Sequence, residues 1–170
     1  MAGKRAPGAG KGSGTAVRHW LMKSEPDAFS IDDLARLGRS PWDGVRNYQA
    51  RNFMQQMRVG DLVLFYHSSC EPKGVVGVAR VAKAAYADHT QFDPKSDHFD
   101  PASPPDAPRW FMVDVEMVEK LAQPFTLEAM KRDAKLADMI VVRKGSRLSV
   151  QPVESRHAQH ILAQAGAKTR

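Results

Sequence analysis

Three strand-like runs follow one another in the middle of the chain with no helical segment between them: Asp61 to Ser68, Gly74 to Tyr86 and Trp110 to Leu121. Strands clustered in this way pair antiparallel, and they argue against a doubly wound parallel sheet built from regular βα alternation. Leu62, Val63, Leu64, Phe65 and Tyr66 form an unbroken apolar run, the pattern of a strand buried on both faces. The last run alternates, with Phe111, Val113, Val115 and Met117 set against Met112, Asp114, Glu116 and Val118. Gly74 and Gly77 predict sharp bends in the middle run, of the sort that close a small sheet on itself.

The flanking segments supply the helices. Val17 to Met22 reads as a strand that ends at Lys23-Ser24-Glu25-Pro26, because proline cannot continue a central strand. Ser30 is placed to cap a helix with Asp33 at its third position, and Gly38 stops it. Asn47 is available to cap a second helix to Met57, in which Tyr48, Phe53, Met54 and Met57 recur at helical spacing. Thr126 caps a short helix, Arg147 to Val153 is a final strand, and Ser155 to Ala165 is a C-terminal helix. The reading is α+β: a small, mostly antiparallel β-barrel with flanking helices. Residues 87–109, with five prolines and five aspartates, form a long connecting loop.

At 170 residues, 42% hydrophobic and 26% charged, the chain suits one globular domain. Residues 1–14 carry five glycines and no large apolar side chain beyond Met1, so a disordered basic tail is expected over 1–16 and a single domain over 17–167. No apolar run approaches the ~18 residues that cross a bilayer, and a lone cysteine, Cys70, excludes an internal disulfide and a thiolate zinc site. A cytoplasmic protein without a cofactor is expected. The net charge of +6 is accounted for by Lys4, Arg5, Lys11, Arg18, Lys168 and Arg170, which leaves residues 19–167 formally neutral. A nucleic-acid contact on the body must therefore come from a local patch.

Three blocks place aromatic surface beside hydrogen-bonding groups: residues 20–26 (Trp-Leu-Met-Lys-Ser-Glu-Pro), 42–50 (Trp-Asp-Gly-Val-Arg-Asn-Tyr-Gln-Ala) and 65–68 (Phe-Tyr-His-Ser). This is the chemistry for holding a flat heterocycle, with π-faces to stack on and amides and hydroxyls to read an edge. Trp20 and Phe65 fit a core role better; Trp42, Asn47 and Tyr48, in a glycine-containing loop that enters a helix, fit a ligand better.

These blocks, with Gly-Asp-Leu-Val-Leu-Phe-Tyr-His-Ser (60–68), Gly-Val-Val-Gly-Val-Ala (74–79), Thr-Gln-Phe-Asp-Pro (90–94), Pro-Arg-Trp (108–110) and Ser-Arg-Leu-Ser-Val-Gln-Pro-Val (146–153), resemble the EVE domain family in order over roughly residues 18–165. The sequence departs from the family at His19, where an aromatic is usual, and over 95–103, which is less aromatic than usual. The resemblance implies a PUA-like fold related to YTH and ASCH domains. It also implies a pocket for a modified base in nucleic acid, with 5-methylcytosine and 5-hydroxymethylcytosine as ligands proposed for the family. On this reading Trp42 and Tyr48 wall the base, while Asn47, Ser24 and Ser68 read its edge. Lys23, Arg46 and Arg147 meet phosphates, and Val45 and Pro152 line the apolar side. Glu25, Gln49, Tyr66, His67 and Ser149 complete the candidate set, and no membrane contact is expected.

Two other classes compete. ASCH-type relatives include hydrolases acting on modified nucleosides, and Lys23-Ser24-Glu25 contains a base, a nucleophile and an acid. Adjacent residues of an extended strand face opposite ways, so Ser24 is not expected to converge with its neighbours. A protein-interaction module is the third class. Metal binding is weakly supported: His157 and His160 are three apart on a helix with no carboxylate at metal spacing in the sequence. Asp93, Asp97 and Asp100 lack the glycine and glutamate of a calcium loop and read as a solvated acidic loop.

Overall fold

The computed structural model describes residues 16–170, so the expected tail lies outside the described residues but for Ala16. Strand β1 (His19–Ser24) leads to helix α1 (Ile31–Leu37), a short strand β2 (Arg39–Pro41) and helix α2 (Tyr48–Gln56). Strands β3 (Leu62–His67), β4 (Gly74–Ala87) and β5 (Phe111–Thr126) follow, then α3 (Leu127–Arg132), β6 (Val150–Val153) and α4 (Ser155–Gln164). They form one mixed sheet in the order β2-β5-β4-β3-β1-β6. Every pairing is antiparallel except that of β1 with β3, which is parallel and has α1, β2 and α2 between its strands. Among the described residues no ladder joins β2 to β6, so the sheet is open and the expected closed barrel is not reached.

The sheet is covered on both faces. Trp20 and Met22 of β1 and Val63 and Phe65 of β3 pack under Ile31, Leu34, Ala50 and Met54 from α1 and α2. Leu21, Leu62, Leu64 and Tyr66 point the other way, toward Met130 of α3 and Ala158, Ile161 and Leu162 of α4. This two-sided burial is why β3 reads as an unbroken apolar run. The glycine bends of β4 have a specific cause. A Cβ at Gly77 would stand 2.6 Å from Ile31 Cδ1 and 2.7 Å from the Glu119 carbonyl oxygen, and the β4–β5 register shifts between Val75 and Gly77. Only a residue without a side chain lets α1 sit this close to the strand.

The caps behave as the sequence dictates. Ser30 Oγ accepts from the Asp33 amide while Asp33 Oδ2 accepts from the Ser30 amide, a full capping box. Gly38 ends that helix, and Asn47 and Thr126 cap α2 and α3. The long connecting loop is held by its own hydrogen bonds. It contains a 3₁₀ turn at His89–Phe92, and the buried Gln91 amide donates to the carbonyls of Asp88 and Trp110 at 2.6 and 2.9 Å. Gln91 Oε1 accepts from Ser103 Oγ and the Trp110 amide, so both ends of the loop are tied to one buried side chain. Asp100 is not simply solvated, since its carboxylate accepts from the Trp110 indole at 2.7 Å.

Candidate nucleic-acid interface

A cavity of about 590 Å³ opens where the end of β1, the β2–α2 loop and the 87–109 loop converge. That volume is in the range that takes a small ligand. Lys23, Ser24, Glu25, Trp42, Val45, Arg46 and Ser149 of the candidate set border it, joined by Ala28, Phe29, Ser40, Pro41, Asp43, Gly44 and His98. Ser24 thus borders the same cavity as Lys23 and Glu25, contrary to the alternation argument. β1 ends at Ser24 and the chain turns there, with the Glu25 carbonyl accepting from the amides of Ala28 and Phe29. Alternation applies only while the strand continues.

Trp42 is core and wall at once. It is 7% exposed and meets Phe65 and Phe29 edge-on, with ring centroids 5.4 and 6.2 Å away. Its indole N–H sets it apart. Trp20 Nε1 donates to Asp61 at 3.0 Å and Trp110 Nε1 to Asp100, whereas Trp42 Nε1 has no hydrogen-bond partner among the described residues and is not sealed from solvent. A free indole donor at the edge of a cavity is open to a ligand.

The β2–α2 loop is held by a carboxylate that sequence reasoning missed. Asp88 is fully buried and accepts from the Gly44 amide at 2.8 Å, from Arg46 Nη1 at 3.0 Å, and from the amide and hydroxyl of Thr90. Burial pushes its carboxyl pKa up, but the hydrogen bonds from Thr90, Gly44 and Arg46 outweigh burial and hold it below the usual carboxylate value. Arg46 also donates to Thr90 Oγ1 and to the His98 carbonyl, and its guanidinium lies 5.4 Å from the Trp110 ring. The residue expected on a phosphate is thus committed to fastening the 87–109 loop, which brings His98 to the cavity wall. Gly44 has φ +81, and a Cβ there would lie 2.6 Å from His98 Nε2.

Ser24 Oγ donates to the Phe29 carbonyl at 2.6 Å. Lys23 Nζ lies 3.5 Å from the Ser146 carbonyl oxygen and 5.8 Å from the Tyr66 ring centroid, and desolvation lowers its pKa.

The remaining expectations are placed elsewhere. Asn47 is used as the α2 cap, its side chain accepting from the Ala50 amide at 2.9 Å, and Gln49 is exposed on that helix. Tyr48 faces out, 53% exposed and stacked on Trp110 at 4.9 Å, because the first turn of α2 carries it away from the cavity. His67 Nε2 accepts from the Ile31 amide at 3.1 Å, which makes it a cap of α1. Tyr66 is buried in the opposite face of the sheet, and Ser68 and Tyr66 border a second cavity on the far side of Lys23. Pro152 borders a hollow near Asp138 and His157, and Arg147 is exposed outside the first cavity's lining. His157 and His160 do have carboxylate neighbours in space, Asp138 at 2.8 Å and Asp133 at 2.6 Å. Asp138, Glu154 and His157 lie close enough to share an ion, but Arg156 already hydrogen-bonds both carboxylates.

With this geometry in place, the profile of the EVE domain family matches residues 18–164. The chain belongs to the EVE domain family. Thymocyte nuclear protein 1 of Danio rerio is 43% identical over 163 residues, covering 85% of this chain and 70% of the relative. A crystal structure of a protein from Pseudomonas putida superposes with a TM-score of 0.85 at 49% identity, over 86% of this chain and 99% of the other. The crystal structure of human THYN1 in complex with 5-methylcytosine containing DNA superposes with a TM-score of 0.83 at 38% identity, over 89% of this chain and 99% of the other. The fold is similar to that of the YTH domain of Zygosaccharomyces rouxii MRB1, with a TM-score of 0.52 at 11% identity over 89% of this chain and 88% of the other. Among the described residues no helix is long and apolar enough to cross a membrane. As for the cytoplasmic expectation, the curated relative bears the name of a nuclear protein.

Proposed function

We propose that this EVE domain recognises a modified base in nucleic acid without transforming it, the base being extruded into the cavity beside Trp42. The observation that carries the reading is the Trp42 indole, buried as a wall with its N–H unpaired among the described residues while the other two indoles are tied to carboxylates. The human relative crystallised with 5-methylcytosine DNA supports the ligand class.

The chemistry of the wall suits a cytosine. Its exocyclic amino group donates, and a carboxylate is the natural acceptor; Glu25 and Asp43 both border the cavity. Its ring nitrogen and carbonyl accept, and Trp42 Nε1 with the hydroxyl of Ser149 can donate, while the Ser40 hydroxyl is engaged with the Pro41 carbonyl. A 5-methyl or 5-hydroxymethyl group would rest against Val45, Pro41 and Phe29.

A hydrolase would need Ser24 activated by a base. Its hydroxyl proton is instead directed at the Phe29 carbonyl, and Lys23 Nζ is directed at the Ser146 carbonyl.

The test is titration of matched single-stranded oligonucleotides containing cytosine, 5-methylcytosine or 5-hydroxymethylcytosine, with incubation of acylated nucleosides in parallel. The reading expects a preference for a modified base and no product. Equal affinity for all three strands would contradict it, and product release abolished by Ser24→Ala would establish the hydrolase.

A further inference from the structure

We infer that a second cavity, separated from the first by Lys23, is the track for the phosphates of the strand that delivers the base. It has a volume of about 540 Å³ and lies between the end of β3, the start of α3 and the turn at residues 143–146. Lys23, Lys73, Lys131, Arg143 and Lys144 border it, with the hydroxyls of Ser68, Ser69 and Ser146, and no aspartate or glutamate is among its lining. This is the local patch that the formally neutral body conceals.

These cations are weakly committed within the fold. Lys131 and Lys144 form no ion pair among the described residues, Lys73 only reaches exposed Glu71 at 4.0 Å, and Arg143 donates to the Asp138 carbonyl at 3.3 Å. Five cations converging on one hollow repel each other unless an anion joins them. The hydroxyls around them are suited to phosphate oxygens.

Position decides which anion. Lys23 borders both cavities. A nucleotide whose base enters the first leaves its sugar and phosphate at the mouth, beside Lys23, and the adjoining phosphates of the same strand continue into the second. This inference rests on the first cavity being the base pocket. It keeps Lys23 from the sequence expectation, which assigned phosphates to Lys23, Arg46 and Arg147, and replaces the two arginines.

The test compares the full chain, a Lys131→Gln/Lys144→Gln variant and an Arg36→Gln/Arg80→Gln variant. The control removes the same charge from side chains that pair with Asp33 and Glu116 away from the cavity. Each is titrated with matched modified and unmodified single-stranded oligonucleotides across a salt series, and separately with phosphatidylserine vesicles. All four substituted residues are exposed, so the thermal midpoints should agree. The inference expects the lysine variant to lose affinity equally for both strands, with the slope of log affinity against log salt shallower by about 1.4. Its preference for the modified base and the slope of the arginine variant should be unchanged. An unaltered slope in the lysine variant, or the same change in the arginine variant, overturns the track. Loss of vesicle binding with unaltered oligonucleotide binding also overturns it, in favour of a lipid site. A shallower slope with no modification preference in any variant would sink the base pocket while keeping the cleft as a phosphate site, so the two readings fail separately.

Discussion

The buried carboxylate of Asp88 ties Arg46 to the domain across 42 residues of chain, accepting from its guanidinium at 3.0 Å and from the neighbouring Gly44 amide at 2.8 Å. Together with the Arg46 bonds to Thr90 and the His98 carbonyl, this acceptor fixes the loop that carries Trp42 and Val45 against the loop that carries His98. The shape of the candidate pocket depends on it.

Asp88→Ala leaves the Gly44 amide without its acceptor and removes the carboxylate from the Arg46 guanidinium, which keeps its bonds to Thr90 and the His98 carbonyl. Removing one member of a buried pair costs about 3–5 kcal/mol, and the partial exposure of Arg46 places this variant at the low end. Because hydrogen bonds hold the folded pKa below the unfolded value near 3.9, the contribution is full above that value and drains as pH falls through the folded pKa. Urea unfolding of wild type and Asp88→Asn between pH 6 and pH 3 should show a steeper acid-side decline in wild type than in the variant, both keeping the contribution of Asp33, Asp100, Glu119, Asp133 and Asp138, whose pKa values are lowered as well.

Gly44→Ala forces a side chain into a backbone with φ +81 and toward the His98 ring. The left-handed conformation costs roughly 1–2 kcal/mol for a residue with a Cβ. Removing the ring by His98→Ala in the same chain should relieve the clash without restoring the lost stability. Full recovery in the double variant, read from thermal melts, would place the cost in the contact rather than the backbone.

His67 accepts the Ile31 amide through Nε2, which requires a neutral imidazole at the N-terminus of α1. Burial lowers its pKa first, Asp32 opposes this, and Lys120 adds to it. A histidine whose folded pKa is depressed contributes stability that is full above its unfolded value near 6.5 and is lost as pH falls through the folded pKa. His67→Gln, which can still accept the hydrogen bond, should flatten the decline in urea midpoint between pH 7.5 and pH 5. The buried His19 shifts in the same direction and remains in both proteins, so the difference between them isolates His67. Parallel curves would remove His67 from this role.

Much of the fold was legible because its signals are local. The cap at Ser30, the stop at Gly38 and the unbroken apolar run of β3 each follow from a few adjacent residues, and all reappear in the structure. The closed barrel was not reached, because Gly74 and Gly77 serve close approaches to Phe125, Thr126 and Ile31 rather than closure of the ladder. The short strand Arg39–Pro41 carried too little pattern to be read. At the cavity, Trp42 and Lys23 were legible as aromatic and polar residues at the ends of elements, while Val45 and Ser149 came from the family resemblance. Tyr48 and Asn47 carried the same chemistry, but helix geometry turns one outward and employs the other as a cap. Asp88 and His98 were hidden among five aspartates of the 87–109 loop, since only tertiary contact separates a buried carboxylate from solvated ones.

The most direct measurement follows the three tryptophan indole N–H resonances of the ¹⁵N-labelled protein during titration with single-stranded oligonucleotides that differ only in one modified cytosine. Trp20 is tied to Asp61 and Trp110 to Asp100, whereas the Trp42 donor has no acceptor among the described residues. The Trp42 resonance should move with the modified strand and much less with the unmodified one, while the Trp20 resonance stays in place. A Trp42 resonance that remains still at saturation, or that moves equally with both strands, would contradict a modified base seated beside Trp42.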